Sequence, residues 1–382
     1  MEIYLDHAAT TYVDERVLEA MKPYFSEEYG NPGSFNSEGF NAKKAVDSAR
    51  QRIAGILGCS AEEIIFTGSG TESINLALHG FVKALAKKEG HIITSKIEHP
   101  SVLETCRFLE SKGFDVTYLD VDERGLVAAS DVEKAITKKT VLLSIMYANN
   151  EIGTIQPIKE IASVAKKHKI AFHTDACQAA GSLDINVKNL GVDMMTLNAS
   201  KVYGPKGIGL LYVRKGVKIK PLIYGGGQEQ GYRSGTENVP AIIGFAKALE
   251  IAEKGKQEEN KRLSALRDRL INGILKNIPR ARLNGDVAKR LPNNVNISFK
   301  GIESEALLLR LDDEGIYASA GSACTSGKIE PSHVLKAIGL SEEDMYGAIR
   351  FSLGKRNDGK QIDKVLEVLL HTVKELRGSS KR

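Results

Sequence analysis

The sequence predicts an α/β fold in which a mostly parallel sheet forms a large domain and a smaller α+β unit forms a second one. Short apolar runs alternate with segments of helical spacing, which is typical of a parallel sheet covered by helices on both faces. The chain has 382 residues, more than one compact core usually takes up. A charged amphipathic stretch at 244–276 is expected to connect the two parts. We therefore expect the large domain at 13–252 and the small domain at 1–12 and 253–382.

Seven apolar runs predict the strands of the large domain, in chain order 64–66, 92–94, 116–119, 141–145, 171–174, 194–197 and 208–213. Helical periodicity predicts helices between them at 71–86, 101–111 and 158–167. In the small domain we expect strands at 295–299, 316–319 and 349–353, with helices at 303–311 and 361–376. In such a fold, ligands bind at the carboxyl ends of the parallel strands.

The composition excludes several classes of protein. The net charge of +5 comes from 53 basic and 48 acidic residues without a concentrated basic stripe, so direct nucleic-acid binding is not expected. No window approaches 18 apolar residues and no leader pattern opens the chain, so we expect a cytoplasmic protein without a membrane span. The four cysteines contain no C-x-x-C pair, which argues against a zinc or dithiol site and favours reduced thiols.

The segment Phe66-Thr-Gly-Ser-Gly-Thr-Glu72 follows a predicted strand and opens a predicted helix. Its two glycines let the backbone approach a ligand, and the N–H groups of a helix start favour an anion such as phosphate. A nucleotide fingerprint does not fit, because Ser73 stands where the third glycine would be. The alternative is a glycine-rich turn with Thr71 as the helix cap.

Asp175 ends the predicted strand at 171–174, and Gln178 follows three residues later. A carboxylate at the end of a parallel strand faces the ligand crevice, where it can hold a protonated ring nitrogen. Gln178 could reach the same ligand. The alternative is an Asp that caps the next helix.

Lys201 follows another strand end and precedes Gly204, Pro205 and Gly207, which predict an irregular loop. A lysine with a lowered pKa can form a Schiff base with a carbonyl compound. The alternative is an ordinary surface lysine in a basic loop.

The segment Ala318-Ser-Ala-Gly-Ser-Ala-Cys324-Thr-Ser-Gly-Lys328 consists of small residues and predicts an exposed, mobile loop. Cys324 has almost no apolar neighbours in the sequence, so burial explains it poorly. An accessible thiol in such a loop suits a nucleophile, although its pKa must be lowered for it to react at pH 7.

Taken in order, these motifs together with His99 and Asn150 resemble the cysteine desulfurases of the NifS/IscS type, class V aminotransferases with the fold-type I architecture of pyridoxal 5'-phosphate (PLP) enzymes. The resemblance covers nearly the whole chain and includes Tyr4-Leu-Asp-His-Ala-Ala-Thr-Thr11, Ala148-Asn-Asn-Glu-Ile-Gly153, Arg233-Ser-Gly-Thr236 and Arg350-Phe-Ser-Leu-Gly354. It implies conversion of L-cysteine to L-alanine. The sulfur would pass through a persulfide to an acceptor for iron–sulfur cluster assembly or tRNA thiolation.

The resemblance also implies the roles of single residues. Lys201 would hold the cofactor and move the substrate proton, and Cys324 would accept the sulfur. Asp175 would hold the ring nitrogen, Gln178 the ring oxygen, and His99 would stack on the ring as an acid or base. The remaining roles are cofactor contacts by Asn150 and Asn198, phosphate contacts by Gly70, Thr71 and Ser200, a phosphate contact from the neighbouring subunit of a homodimer by Thr236, and binding of the substrate carboxylate by Arg350.

Two positions depart from the family pattern. Ser200 stands where the family commonly has a histidine before the lysine, which removes a charge that could face the phosphate. The stretch Asn31-Pro-Gly-Ser-Phe-Asn36 lacks the usual histidine. Four alternatives therefore stay open: selenocysteine lyase, cysteine sulfinate desulfinase, an aminotransferase in which Cys324 has no role, and a non-catalytic assembly scaffold.

Overall fold

The computed structural model describes residues 2–85, 89–320 and 331–379. Within them, the strands are β1 (Ile3–Tyr4), β2 (Ile64–Thr67), β3 (His91–Ser95), β4 (Asp115–Leu119), β5 (Thr140–Ser144), β6 (Ala171–Asp175), β7 (Met194–Asn198), β8 (Gly209–Val213), β9 (Ala281–Leu283), β10 (Asn294–Phe299), β11 (Ile316–Tyr317) and β12 (Ala348–Ser352). All seven strands predicted for the large domain, and the three predicted for the small one, are confirmed with shifts of a residue or two at their ends.

The helices are α1 (Glu15–Met21), α2 (Pro23–Ser26), α3 (Ser37–Leu57), α4 (Gly70–Ala84), α5 (Pro100–Glu110), α6 (Ala129–Ala135), α7 (Ile158–His168), α8 (Val187–Leu190), α9 (Val239–Asn277), α10 (Ser304–Asp313), α11 (His333–Ala337), α12 (Glu342–Tyr346) and α13 (Gly359–Ser379). The predicted helices are present, and α9 is the expected connector. It begins five residues earlier than predicted, because Asn238 caps it by accepting a hydrogen bond from the backbone of Ala241.

The large sheet has the order β2-β8-β7-β6-β5-β3-β4. Strands β3 to β7 pair in parallel, whereas β8 runs antiparallel to both of its neighbours. Every residue of β2, β3 and β8 is buried, as expected for a sheet that is covered on both faces. The prediction of a mostly parallel, seven-stranded sheet is therefore confirmed.

Two main hydrophobic cores lie on either side of the middle of α9. The larger extends from Val17 to Leu249 and fills one side of the large sheet. The other joins Ile3 and Leu5 of the N-terminal segment to apolar residues of α9, the β9-β10-β12 sheet and α13. The N-terminal residues thus pack with the C-terminal part of the chain. The domain boundary at 252/253 stays a prediction.

No helix of the described residues combines the length and the hydropathy needed to cross a bilayer.

Candidate active site

The parallel strands bring the site residues to one edge of the large sheet. Asp175 ends β6, Asn198 ends the neighbouring β7, and Lys201 closes the single 3-10 turn that follows β7. Parallel neighbours end on the same side, so residues far apart in sequence meet there. This is the crevice that the sequence predicts.

Lys201 is held by the N-terminal segment. Its Nζ donates hydrogen bonds to the carbonyl oxygens of Ala8 and Ala9 at 2.8 and 2.5 Å. Gln178 donates from Nε2 to the same Ala8 oxygen at 3.0 Å. The amine and the amide therefore converge on one backbone atom, and the alternative of an ordinary surface lysine is wrong.

Asp175 is buried, with 7% of its surface exposed, and its Oδ1 accepts a hydrogen bond from the backbone of Cys177 at 3.0 Å. Residues 177–182 form turns, so the alternative that Asp175 caps a helix is wrong. Burial, with the Asp175 carboxylate adding to it, raises the pKa of the Cys177 thiol. Cys177 is therefore a protonated thiol beside the site and a poor nucleophile.

His99 lies at the start of α5, where its Nδ1 accepts a hydrogen bond from the backbone of Ser101 at 3.1 Å. His99 therefore caps this helix. Burial lowers the pKa of His99; the Asp175 carboxylate acts against this, and Lys201 acts with it. A neutral imidazole near both charged groups can stack on an electron-poor ring, but this role stays a prediction.

The N-terminus of α4 lies where the sequence predicts an anion site, and that role stays a prediction. Ser69 is the cap, since its hydroxyl accepts a hydrogen bond from the backbone of Glu72 at 3.1 Å, so the expectation that Thr71 would be the cap is wrong. A Cβ atom on Gly70 would lie 3.1 Å from the sulfur of Cys177 and 3.4 Å from Cβ of Asn198. The glycine thus leaves room beside Asn198 that a larger residue would fill.

The other two phosphate-side residues differ in their surroundings. Thr71 is exposed, whereas Ser200 is buried. The carbonyl of Ser200 accepts hydrogen bonds from the backbone and hydroxyl of Thr11 at 2.9 and 3.0 Å. These bonds fix the backbone just before Lys201.

Arg350 lies on β12 and reaches the site from the small-domain sheet. Its Nη2 bonds Oδ1 of Asp6 at 2.6 Å, and its Nη1 donates to the carbonyl of Asn150 at 3.1 Å. Only 3% of the Arg350 side chain and 18% of the Asp6 side chain are exposed, so this ion pair is largely shielded from solvent. Asn150 thereby contacts Arg350 through its backbone.

Thr236 is exposed in the single chain. A residue that contacts a second subunit must be exposed in this way. Cys324 lies outside the described residues. His333, downstream of Cys324 in the sequence, donates a hydrogen bond from Nε2 to the backbone carbonyl of Glu98 at 2.9 Å and so lies next to the His99 segment.

Sequence reasoning missed two carboxyl groups. Glu98 is fully buried, and its Oε1 accepts from the hydroxyl of Ser95 at 2.6 Å and from the backbone of Met146 at 3.0 Å. Burial raises the pKa of Glu98 to about 8. Asp6 belongs to a motif recognised at the N-terminus, but its partner Arg350 is 344 residues away. The only local signals were the position of Glu98 beside His99 and of Asp6 in that motif.

The donor set fits PLP. It supplies an amine for the aldehyde, a buried carboxylate for the ring nitrogen, an amide for the ring oxygen and a helix N-terminus with a glycine for the phosphate. Within the part of the chain that the structure describes, no group of three or more histidine, cysteine or acidic side chains is placed to hold a metal ion.

Comparisons with known proteins identify the family of this chain. The aminotransferase class-V family model matches residues 3–365. The cysteine desulfurase IscS of Clostridium botulinum (strain Hall) is 52% identical over 381 residues, which cover 99% of this chain and 96% of the relative. That of Methanosarcina thermophila is 52% identical over 378 residues, 99% of this chain and 93% of the relative.

Solved structures are similar over the same length. A NifS-like protein has a TM-score of 0.91 and 40% identity, with all of both chains covered. SspA in complex with cysteine has a TM-score of 0.82 and 41% identity over 92% of this chain and 99% of its own. This chain belongs to the aminotransferase class-V family of PLP-dependent enzymes and, within it, to the cysteine desulfurases.

Proposed function

We propose that this protein converts L-cysteine to L-alanine with PLP as cofactor and passes the sulfur on as a persulfide of Cys324. The observation that carries the proposal is the convergence of Lys201, Gln178 and Asp175 on one sheet edge, with Arg350 reaching it from the small-domain sheet. The similarity to cysteine desulfurases and to a structure solved with cysteine supports the choice of substrate.

Bound PLP supplies an electron-poor ring that stabilises the charge left when the substrate loses its Cα proton. Lys201 is the amine that holds the aldehyde and, once released by the substrate, the base that moves this proton. Asp175 keeps the proton on the ring nitrogen. Arg350 binds the substrate carboxylate, and neutral His99 can accept or donate a proton beside the ring.

Sulfur transfer requires a thiolate. The sulfur of Cys324 attacks the sulfur of the bound cysteine, an S–S bond forms, the C–S bond breaks, and the electron pair stays with the carbon that becomes the methyl group of alanine. The persulfide on Cys324 is then the form in which sulfur leaves the site. This order makes Cys324 essential for alanine formation as well as for sulfur delivery.

The test is mass spectrometry of the enzyme after incubation with L-cysteine. One added sulfur is expected on the peptide that contains Cys324, and Cys324→Ala should make neither persulfide nor alanine. Cys59→Ala is the matched control, because burial raises the pKa of that half-buried thiol to about 12 and it should not react. Alanine formation by Cys324→Ala at the normal rate would contradict the proposal and favour an aminotransferase.

A homodimer with a shared site is the second part of the proposal. Within residues 25–40, four aromatic side chains are exposed in the single chain: Phe25, Tyr29, Phe35 and Phe40. Apolar exposure of this kind marks a contact surface, and a second copy of the chain would cover it while receiving Thr236. The sulfur acceptor, an iron–sulfur scaffold or a tRNA-thiolation protein, and the cytoplasmic location stay predictions from the resemblance.

A further inference from the structure

The arginine expected to bind the substrate carboxylate is already paired with a carboxylate of the same chain. Asp6 contacts Nη2 of Arg350 at 2.6 Å, and the Asn150 carbonyl contacts Nη1. The third donor, Nε, is buried and has no hydrogen-bond partner among the described residues. A substrate carboxylate must therefore use Nε or share the Nη groups with Asp6.

The backbone fixes Asp6 beside Arg350. Asp6 forms a parallel bridge with Ser352, the residue two positions after Arg350 on β12, and the backbone of His7 donates to the carbonyl of Ser352 at 3.2 Å. The backbone of Ala8 donates to the Ser352 hydroxyl at 2.9 Å. On the other side of Asp6, the carbonyl of Leu5 accepts a hydrogen bond from the backbone of Ser352 at 2.6 Å. Because the segment is held both before and after Asp6, its carboxylate stays close to Arg350 when a ligand arrives.

The pair changes the charge that a ligand meets. Arg350 and Asp6 together carry no net charge. When the α-carboxylate of an amino acid binds, the three groups together therefore carry one negative charge. An acidic side chain on that amino acid would add another negative charge within several ångströms of Asp6, next to an arginine whose side chain is only 3% exposed. Repulsion between like charges at such distances corresponds to about ten-fold or more in affinity.

We propose that Asp6 is a specificity-determining residue: by pairing with Arg350 it makes the site select amino acids with an uncharged side chain and reject those with an acidic one. This inference rests on the proposed function, since it assumes that the substrate carboxylate binds Arg350. It explains why the site would favour L-cysteine over L-cysteine sulfinate, two substrates that share the carboxylate and differ in side-chain charge.

The test compares two variants of Asp6. Asp6→Asn keeps the size and an oxygen acceptor for Arg350 but removes the charge, whereas Asp6→Glu keeps the charge. The quantity measured is kcat/KM for L-cysteine sulfinate divided by kcat/KM for L-cysteine. Both are taken from the rate of alanine formation in the presence of an added thiol, which reduces the Cys324 persulfide and releases its outer sulfur as sulfide. We expect this ratio to rise about ten-fold in Asp6→Asn and to stay near the wild-type value in Asp6→Glu.

An unchanged ratio in Asp6→Asn, or an equal rise in Asp6→Glu, would overturn the inference and leave Asp6 with a purely orienting role.

Binding of two non-reacting ligands to the wild-type holoenzyme gives a measurement that needs no variant. L-alanine should perturb the cofactor absorbance at concentrations about ten-fold lower than L-aspartate, and the reverse order also overturns the inference. Failure of the proposed function is distinguishable, because wild-type enzyme would then form no alanine from cysteine.

Discussion

Glu98 is a carboxyl group that the fold buries completely, and it directly precedes His99 in the sequence. Its Oε1 accepts two hydrogen bonds, whereas Oε2 is buried and has no hydrogen-bond partner among the described residues. A protonated acid costs less there than a carboxylate, because burial penalises the charged form. With a pKa of about 8, the group is mostly neutral at pH 7, so it adds little negative charge to a site that already contains Asp175.

This neutrality predicts how stability depends on pH. The pKa rises from 4.5 to about 8 on folding, so between these values the folded chain holds a proton that the unfolded chain has lost. The protonated Glu98 therefore stabilises the folded state at low pH. Its contribution to the free energy of unfolding decreases as the pH rises towards 8, by roughly 1 kcal/mol per pH unit. Urea unfolding of wild type and Glu98→Gln at pH 5, 6, 7 and 8 should show the wild type losing stability relative to the variant. If the free energies of unfolding of the two proteins changed with pH in the same way, Glu98 would be charged in the folded state.

At the scale of elements, the start of α4 depends on its contact with β8. Gly209 begins β8 and pairs with Thr67 on one side and Asn198 on the other. A Cβ atom on Gly209 would overlap the carbonyl group of Ser69, the helix cap. The absence of a side chain at Gly209 is therefore what lets the helix start lie close to the end of β7.

We expect Gly209→Ala to lower the free energy of unfolding by about 2 kcal/mol and to weaken binding of PLP, because the clash displaces Ser69 and Gly70. Denaturant unfolding and titration of the apoenzyme with PLP measure the two effects. Gly255→Ala is the matched control: it lies inside α9 with nothing within 4 Å of the new Cβ, so it should stabilise by about 0.5–1 kcal/mol. Normal PLP affinity in Gly209→Ala would contradict the role given to this contact.

At the scale of the whole molecule, the chain leaves apolar surface that a second copy would cover. Phe40 on α3 is 67% exposed, and Leu309 on α10 is 68% exposed. Only Phe40 lies in the aromatic segment of residues 25–40 that we assign to the homodimer. The two residues therefore form a matched pair for testing where the subunits meet.

Phe40→Asp should produce monomers and lower the affinity for PLP, because a charge in the contact opposes association and each site then loses Thr236 of the partner. Leu309→Asp should stay dimeric. Sedimentation velocity at several protein concentrations distinguishes the two, with PLP titration as the second readout. A dimeric Phe40→Asp, or a monomeric wild type with full PLP affinity, would refute the shared site.

The sequence predicted a large part of the fold, because apolar periodicity is a local property that survives in the folded chain. All predicted strands were found, but α3 was not predicted. Its buried positions recur at helical spacing, yet many of them are alanine and glycine, which give a weak apolar signal: Gly39, Ala42, Val46, Ala49, Ile53, Ala54 and Leu57. Its ends are set by the Asn36 cap and by Gly58 in a left-handed conformation, which are signals that can be recognised in the sequence.

What the sequence by itself determined is the set of chemical groups: an amine, a carboxylate and an amide at strand ends, and a glycine-rich helix start. Only the tertiary structure decided how these groups are charged and held. The carbonyls that bind Lys201 and the carboxylate that neutralises Arg350 both come from residues 6–9, some 190 and 344 positions away from the side chains they contact. The burial that keeps Glu98 protonated arises from packing between elements. Local patterns specify strands and helices, whereas solvent exclusion and charge pairing depend on which distant segments the topology brings together.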